Sequence, residues 1–135
     1  MSRLEERIEN FNRAYELFQR MYNMHVNNPE DEAYRLALVQ CFEIVFEISW
    51  KLMKDYLKIK GSDEPTTPND TFKAMFASEN LPNAQVWIDM TKDRNFSSHE
   101  YNMKKFDEII EKIDTKYYNA INEFYLWVSK GVNKN

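Results

Sequence analysis

Glycine is almost missing from this chain, with two in 135 residues, and proline is nearly as scarce at four. So few turn formers leave little room for a backbone that doubles back every few residues, and the composition reads as globular and mostly helical. A single cysteine, Cys41, excludes an intrachain disulfide, and its apolar helical setting marks it as a buried core thiol. No apolar stretch reaches the length of a membrane span. The first residues, Met1-Ser2-Arg3-Leu4-Glu5-Glu6, lack the apolar run of a signal peptide, so a cytoplasmic protein without a membrane partner is expected. The formal net charge of −4 excludes a protein that coats nucleic acid by charge alone. Metal-ligand clusters, nucleotide-cradling glycine loops, nucleophilic triads and internal repeats are all missing, and neither a metal nor a cofactor is expected.

What the chain does hold is aromatic side chains: nine Phe, eight Tyr and three Trp. They allow a large buried payload in one domain spanning 1–135. Leu4, Ile8, Phe11, Tyr15, Phe18 and Tyr22 alternate spacings of four and three, which predicts an amphipathic helix over 3–24. His25 then falls at the helix end and reads as a terminal surface residue. Asn28-Pro29-Glu30-Asp31 carries the signals of a helix start, a cap followed by proline and acids. The helix that follows, over 29–60, has one narrow polar stripe of Gln40, Glu43, Glu47, Lys51, Lys54 and Lys58. Apolar residues fill about two-thirds of its circumference, so it must touch neighbours on two sides, as in a bundle. Thr67-Pro68 opens a short helix to about Ser78, and Leu81-Pro82 begins a fourth that ends at Arg94 or Asn95. A fifth runs over 98–129 on an apolar stripe from Phe106 to Val128. The expected fold is therefore all-α, an up-down helical bundle of four main helices plus a short one.

Chemistry concentrates in Arg94-Asn95-Phe96-Ser97-Ser98-His99-Glu100-Tyr101. Ser97 and Glu100 match a capping box, with Phe96 and Tyr101 placed as a hydrophobic staple, and this gives the stretch a structural reading. The functional reading uses the same spacing. An imidazole at a helix N-terminus favours its neutral form and accepts a proton at neutral pH. A guanidinium five residues earlier holds phosphate with paired N–H donors. Arg94 and His99 would together suit attack of a ribose 2′-hydroxyl on its neighbouring phosphodiester, a step that needs no metal. Lys92, Arg94, Lys104 and Lys105 outnumber Asp93 and Glu100 around the joint, which permits an anionic ligand. Glu47 pairs with Lys51 along its helix or turns towards Arg94.

Two blocks resemble a known family. Residues Gln40 to Lys51, continuing through Tyr56-Leu57 to Gly61, are similar to the spine helix of the nucleotidyltransferase substrate-binding proteins, members of the HEPN superfamily. Trp87 to Asn95, followed by His99, Tyr101 and Asn102, resembles the same family's second block. The resemblance implies a HEPN-like bundle that pairs as a homodimer, with the R-x4-H motif of Arg94 and His99 near the dimer interface. It implies a small nucleotidyltransferase subunit as partner. Gly61-Ser62 is followed by no Asp-x-Asp pair, so the chain does not carry nucleotidyltransferase chemistry itself. In toxin members of the superfamily the motif cleaves RNA without metal, and the partner transfers AMP to the tyrosine of R-x4-H-x-Y, here Tyr101. The site that follows is catalytic Arg94 and His99, binding residues Asn95, Lys92 and Glu47, and Tyr101 as modification target. A metal-independent endoribonuclease is one expected function; a non-catalytic subunit binding a nucleotide or the partner's substrate is the other. One chain supplies only His99 as proton carrier, so the nuclease requires two copies of the motif in one cleft.

Overall fold

In the computed structural model, which describes residues 2–62, 65–98 and 101–131, the chain forms an all-helical bundle. Five rods lie in the described part. They are α1 (Arg3–Asn27), α2 (Glu32–Ile59), α3 (Pro68–Ala77), α4 (Ala84–Asp93) and a C-terminal rod made of α5 (Met103–Lys112), a π-helical turn (Ile113–Tyr117) and α6 (Tyr118–Ser129). A short 3₁₀ turn, Phe96–Ser98, follows α4.

Side-chain pairs fix the directions. Arg7 Nε meets Asp55 at 2.8 Å, so α1 and α2 run antiparallel as a hairpin. Arg35 reaches Asp107 at 2.5 Å, Phe42 stacks on Tyr117, and Tyr56 meets Trp127 edge-on, so α2 runs parallel to the C-terminal rod. Tyr15 stacks on Tyr125 and Tyr22 on Tyr118, with centroids 4.1 and 3.8 Å apart, which sets α1 antiparallel to that rod. Asp93 meets Lys105, Asp89 meets Lys116 and Trp87 meets Phe124, so α4 runs antiparallel to the rod and the four main helices alternate, as the sequence predicts for an up-down bundle. In the centre Trp87 packs against Phe46, Phe72 and Phe124, all buried, which ties α4 to α2, α3 and α6. Each such ring contributes about 1.5–3 kcal/mol by leaving water.

The long helices match their sequence periodicity, while their starts move. Asp31, not Asn28, caps α2 by accepting from the Tyr34 N–H at 3.1 Å; Asn28 instead closes α1. Pro29 lies in the turn between them. Asn83 rather than Leu81-Pro82 starts α4, its side-chain Oδ1 accepting from Gln85 N at 3.0 Å. Thr67 caps α3 as its sequence suggests. The last rod starts at Met103, capped by Asn102, and not at Ser98. At the end of α2, Gly61 takes φ +84° so that Ser62 N can reach back to the Leu57 carbonyl at 3.0 Å.

Two further differences concern the rod. The sequence stripe suggests one continuous α-helix, yet five residues wind as a π turn. Three of these five carry polar links to other helices: Asp114 to His25, Lys116 to Asp89 and Tyr117 to Asp93. His25 is thus buried and not a surface residue, because the Asp114 carboxylate lies 3.1 Å from its Nε2. Cys41 is buried as expected, and burial pushes its thiol pKa up.

Candidate functional site

The polar stripe of α2 faces the end of α4. Between them lies a groove of about 400 Å³, lined by Gln40, Glu43, Ile44, Glu47, Ile48, Arg94, Asn95 and Ser97. Glu43 and Glu47 stand one helical turn apart, so both carboxylates point to the same side. Glu43 Oε2 accepts from the Ser97 N–H at 2.9 Å, which pins the 3₁₀ turn against α2. Glu47 Oε1 stands 3.8 Å from the Arg94 guanidinium. The other Glu47 oxygen accepts from the Trp50 indole N–H at 3.0 Å and has Lys51 Nζ at 3.9 Å. Both sequence readings of Glu47 are therefore realised at once, since it pairs along its helix and also faces Arg94.

Arg94 caps the C-terminus of α4 and keeps a quarter of its side chain in solvent. Its direction is set by the residue before it. Asp93 is fully buried and held from three sides: Lys105 at 2.7 Å, Lys112 at 3.2 Å and the Tyr117 hydroxyl at 2.7 Å. Burial raises the Asp93 pKa, but the Lys105 and Tyr117 hydrogen bonds and the lysine charges outweigh it, and the carboxyl ends below its ordinary range. Burial and the bond to Asp93 push the Tyr117 phenol well above its usual value. Asp93 thus locks the last turn of α4 onto the C-terminal rod, and the next residue, about 100° further round the helix, is aimed at α2 instead. Sequence reasoning counts Asp93 only as a nearby anion. Its burial depends on two lysines and a tyrosine that follow by 12 to 24 residues, a link no local pattern displays.

The other site residues divide. Asn95 and Glu47 line the groove with Arg94. Lys92 does not; it is exposed and acts on Asp89, whose pKa falls because hydrogen bonds from Gln85 and Lys116 and the charges of Lys116 and Lys92 outweigh its desolvation. His99 and Glu100 lie outside the described residues, so the capping box and the imidazole's neighbours have no geometry to report. The helix whose N-terminus would favour a neutral imidazole begins four residues later, at Met103, under Asn102. Tyr101 sits away from the groove, 57% exposed, with its ring against Phe96 and Phe106 as a staple-like contact. It borders a separate cavity of about 630 Å³ with Arg35, Leu36 and Met103.

The groove's own charges are one guanidinium and two carboxylates, a net of −1. A phosphate entering it competes with Glu47 for Arg94. Glu47 keeps Trp50 and Lys51 when Arg94 turns away, so the exchange leaves no carboxylate without a donor. No helix among the described residues is long and apolar enough to cross a membrane. A protein-family model described as nucleotidyltransferase substrate binding protein like matches residues 6–130. A comparison with curated proteins gives no match.

Proposed function

The chain belongs to the nucleotidyltransferase substrate-binding family, and from that premise we propose that it is the HEPN-type subunit of a two-component system with a small nucleotidyltransferase, acting as a metal-independent endoribonuclease. The observation that carries this reading is Arg94, held at a half-open groove by a buried anchor on one side and an exchangeable carboxylate partner on the other. Arg94 stabilises the charge that develops on the phosphate oxygens. His99 accepts the 2′-hydroxyl proton as the 2′-oxygen attacks phosphorus. The bond to the 5′-oxygen breaks, and that oxygen takes a proton from the imidazolium of a second copy. Asn95 orients the loop at the groove's mouth.

The homodimer this requires has a candidate surface. Leu36, Ile44 and Met103 are each 44–65% exposed, and Ile44 lines the groove itself. Exposed apolar side chains grouped around a polar site are what a protein interface covers. Tyr101, with its phenol accessible, is the acceptor for AMP from the partner.

Purified protein should cleave single-stranded RNA in EDTA, with Arg94→Ala and His99→Ala each lowering the rate at least about a hundredfold. Equal cleavage by wild type and both variants removes the two residues from the mechanism. The family match favours a second reading, a non-catalytic subunit that binds a nucleotide or the partner's substrate. In that case wild type binds a nucleotide through Arg94 but leaves RNA intact.

A further inference from the structure

We propose that the edge between α4 and the C-terminal rod is a binding track for single-stranded RNA, distinct from the Arg94 groove. The ligand's identity rests on the nuclease reading; the track rests on how the charges are sorted.

The rod has two charged sides. Two of its acids turn towards α1 and α2, where Asp107 meets Arg35 and Asp114 meets His25, while Glu123 faces α4. Three of its lysines turn towards α4. Lys105 and Lys112 converge on Asp93, Lys116 lies 3.0 Å from Asp89, and Lys92 of α4 adds its charge beside Asp89. Four cations meet three carboxylates, Asp89, Asp93 and Glu123, so the edge carries +1 in a chain of net −4. Asp93 alone shares one negative charge between two ammonium groups while also accepting from Tyr117. The three rod lysines keep 36–42% of their side chains exposed, so the surplus charge faces solvent.

The row has length as well as charge. From Lys105 to Lys116 a helix rises about 16 Å, room for several phosphates of one strand. Beyond Lys116 the edge opens into a pocket of about 390 Å³, a size suited to a single nucleotide unit. Gln85, Thr115 and Asn119 bring uncharged hydrogen-bonding groups to it, beside the carboxylates of Asp89 and Glu123. Amides of this kind read base edges, whereas lysines hold phosphates without regard to sequence. The other end of the row closes on Asp93, next in the chain to Arg94.

The test is fluorescence anisotropy of a labelled single-stranded RNA at several salt concentrations. For a single strand, every lysine that no longer neutralises a phosphate lowers the slope of log affinity against log salt by about 0.7. Lys92→Gln with Lys116→Gln leaves the buried Asp93 pairs intact, so the fold is preserved. It should weaken binding and lower the slope by about 1.4. Lys92→Arg with Lys116→Arg should restore both. Arg94→Ala should abolish cleavage while the lysine-dependent part of the slope persists. Excess ATP should displace the RNA only weakly, because a triphosphate spans less of the row. An unchanged slope in the glutamine variant overturns the track while leaving the Arg94 groove standing. Failure of the wild type to bind RNA overturns both, and displacement by stoichiometric ATP reassigns the edge to a nucleoside polyphosphate.

Discussion

Replacing Asp93 by Asn keeps the shape of the most tightly held side chain near the groove and removes its charge. The amide oxygen can still accept from Tyr117, so most of that 2.7 Å bond survives in a weaker, neutral form, a loss of about 1 kcal/mol. The amide nitrogen, in place of Oδ1, then points its hydrogens at the Lys105 ammonium, and buried donors without acceptors cost about 1–3 kcal/mol. The lysine pairs add little, about 0–1 kcal/mol each, because both ammonium ends are partly hydrated. The sum is on the order of 3 kcal/mol, equivalent to roughly 10 °C in Tm for a domain of this size. Urea unfolding followed by circular dichroism measures it directly. The pH dependence follows from the lowered pKa of the carboxyl. A group whose folded-state pKa is depressed contributes stability at every pH above its unfolded value, about 3.9 for Asp. That contribution is lost as pH falls through the lower, folded-state value. The gap between wild type and Asp93→Asn should therefore hold from neutral pH to about pH 4 and close only below it. Identical urea midpoints at neutral pH would refute the account of Asp93 as a charged anchor.

Three more outcomes are expected. Incubated with its small nucleotidyltransferase partner and ATP, the protein should gain one AMP by intact mass, and Tyr101→Phe should gain none; an adduct on the Phe variant would place the acceptor elsewhere. Gly61→Ala should cost about 1 kcal/mol by thermal melting, all of it conformational, since a Cβ at φ +84° meets no atom within 4 Å. Cys41 should resist alkylation at neutral pH until urea unfolds the chain, because burial holds the thiol protonated and covered; rapid labelling of native protein would contradict this.

The bundle is legible in the sequence because α1 and α2 are long enough for a 3.6-residue period to average out local noise. Most of their apolar positions, among them Phe11, Tyr15, Phe42, Phe46, Leu52 and Leu57, are found buried, while Ile44 stays exposed. Helix starts are less legible, since each joint offers several cap residues in a row. Asn28 and Asp31 both suit the α2 start; Ser97 and Asn102 compete for the last rod. The second contest is decided outside the joint: the Ser97 N–H is taken by Glu43, 54 residues earlier. His25 fails for the same reason, since the carboxylate that buries it lies 89 residues downstream. At the site, the R-x4-H spacing and the acids of α2 are visible beforehand. What only folding reveals is that Lys92 turns away from Arg94 and that Asp93 is the anchor.

The π turn gives the C-terminal rod a change of phase. A five-residue turn holds one residue more than an ordinary one, so α6 is rotated relative to the continuation of α5 by roughly the angle of a single residue. Deleting Thr115, exposed and within that turn, would let the rod run on as plain α-helix. Tyr117, Ile121 and Phe124 would then have to swing off the core or drag α5 round with them, away from Asp93. The rod thus behaves as two gears meshed through one irregular tooth, and the aim of Arg94 depends on a miscount in the helix opposite.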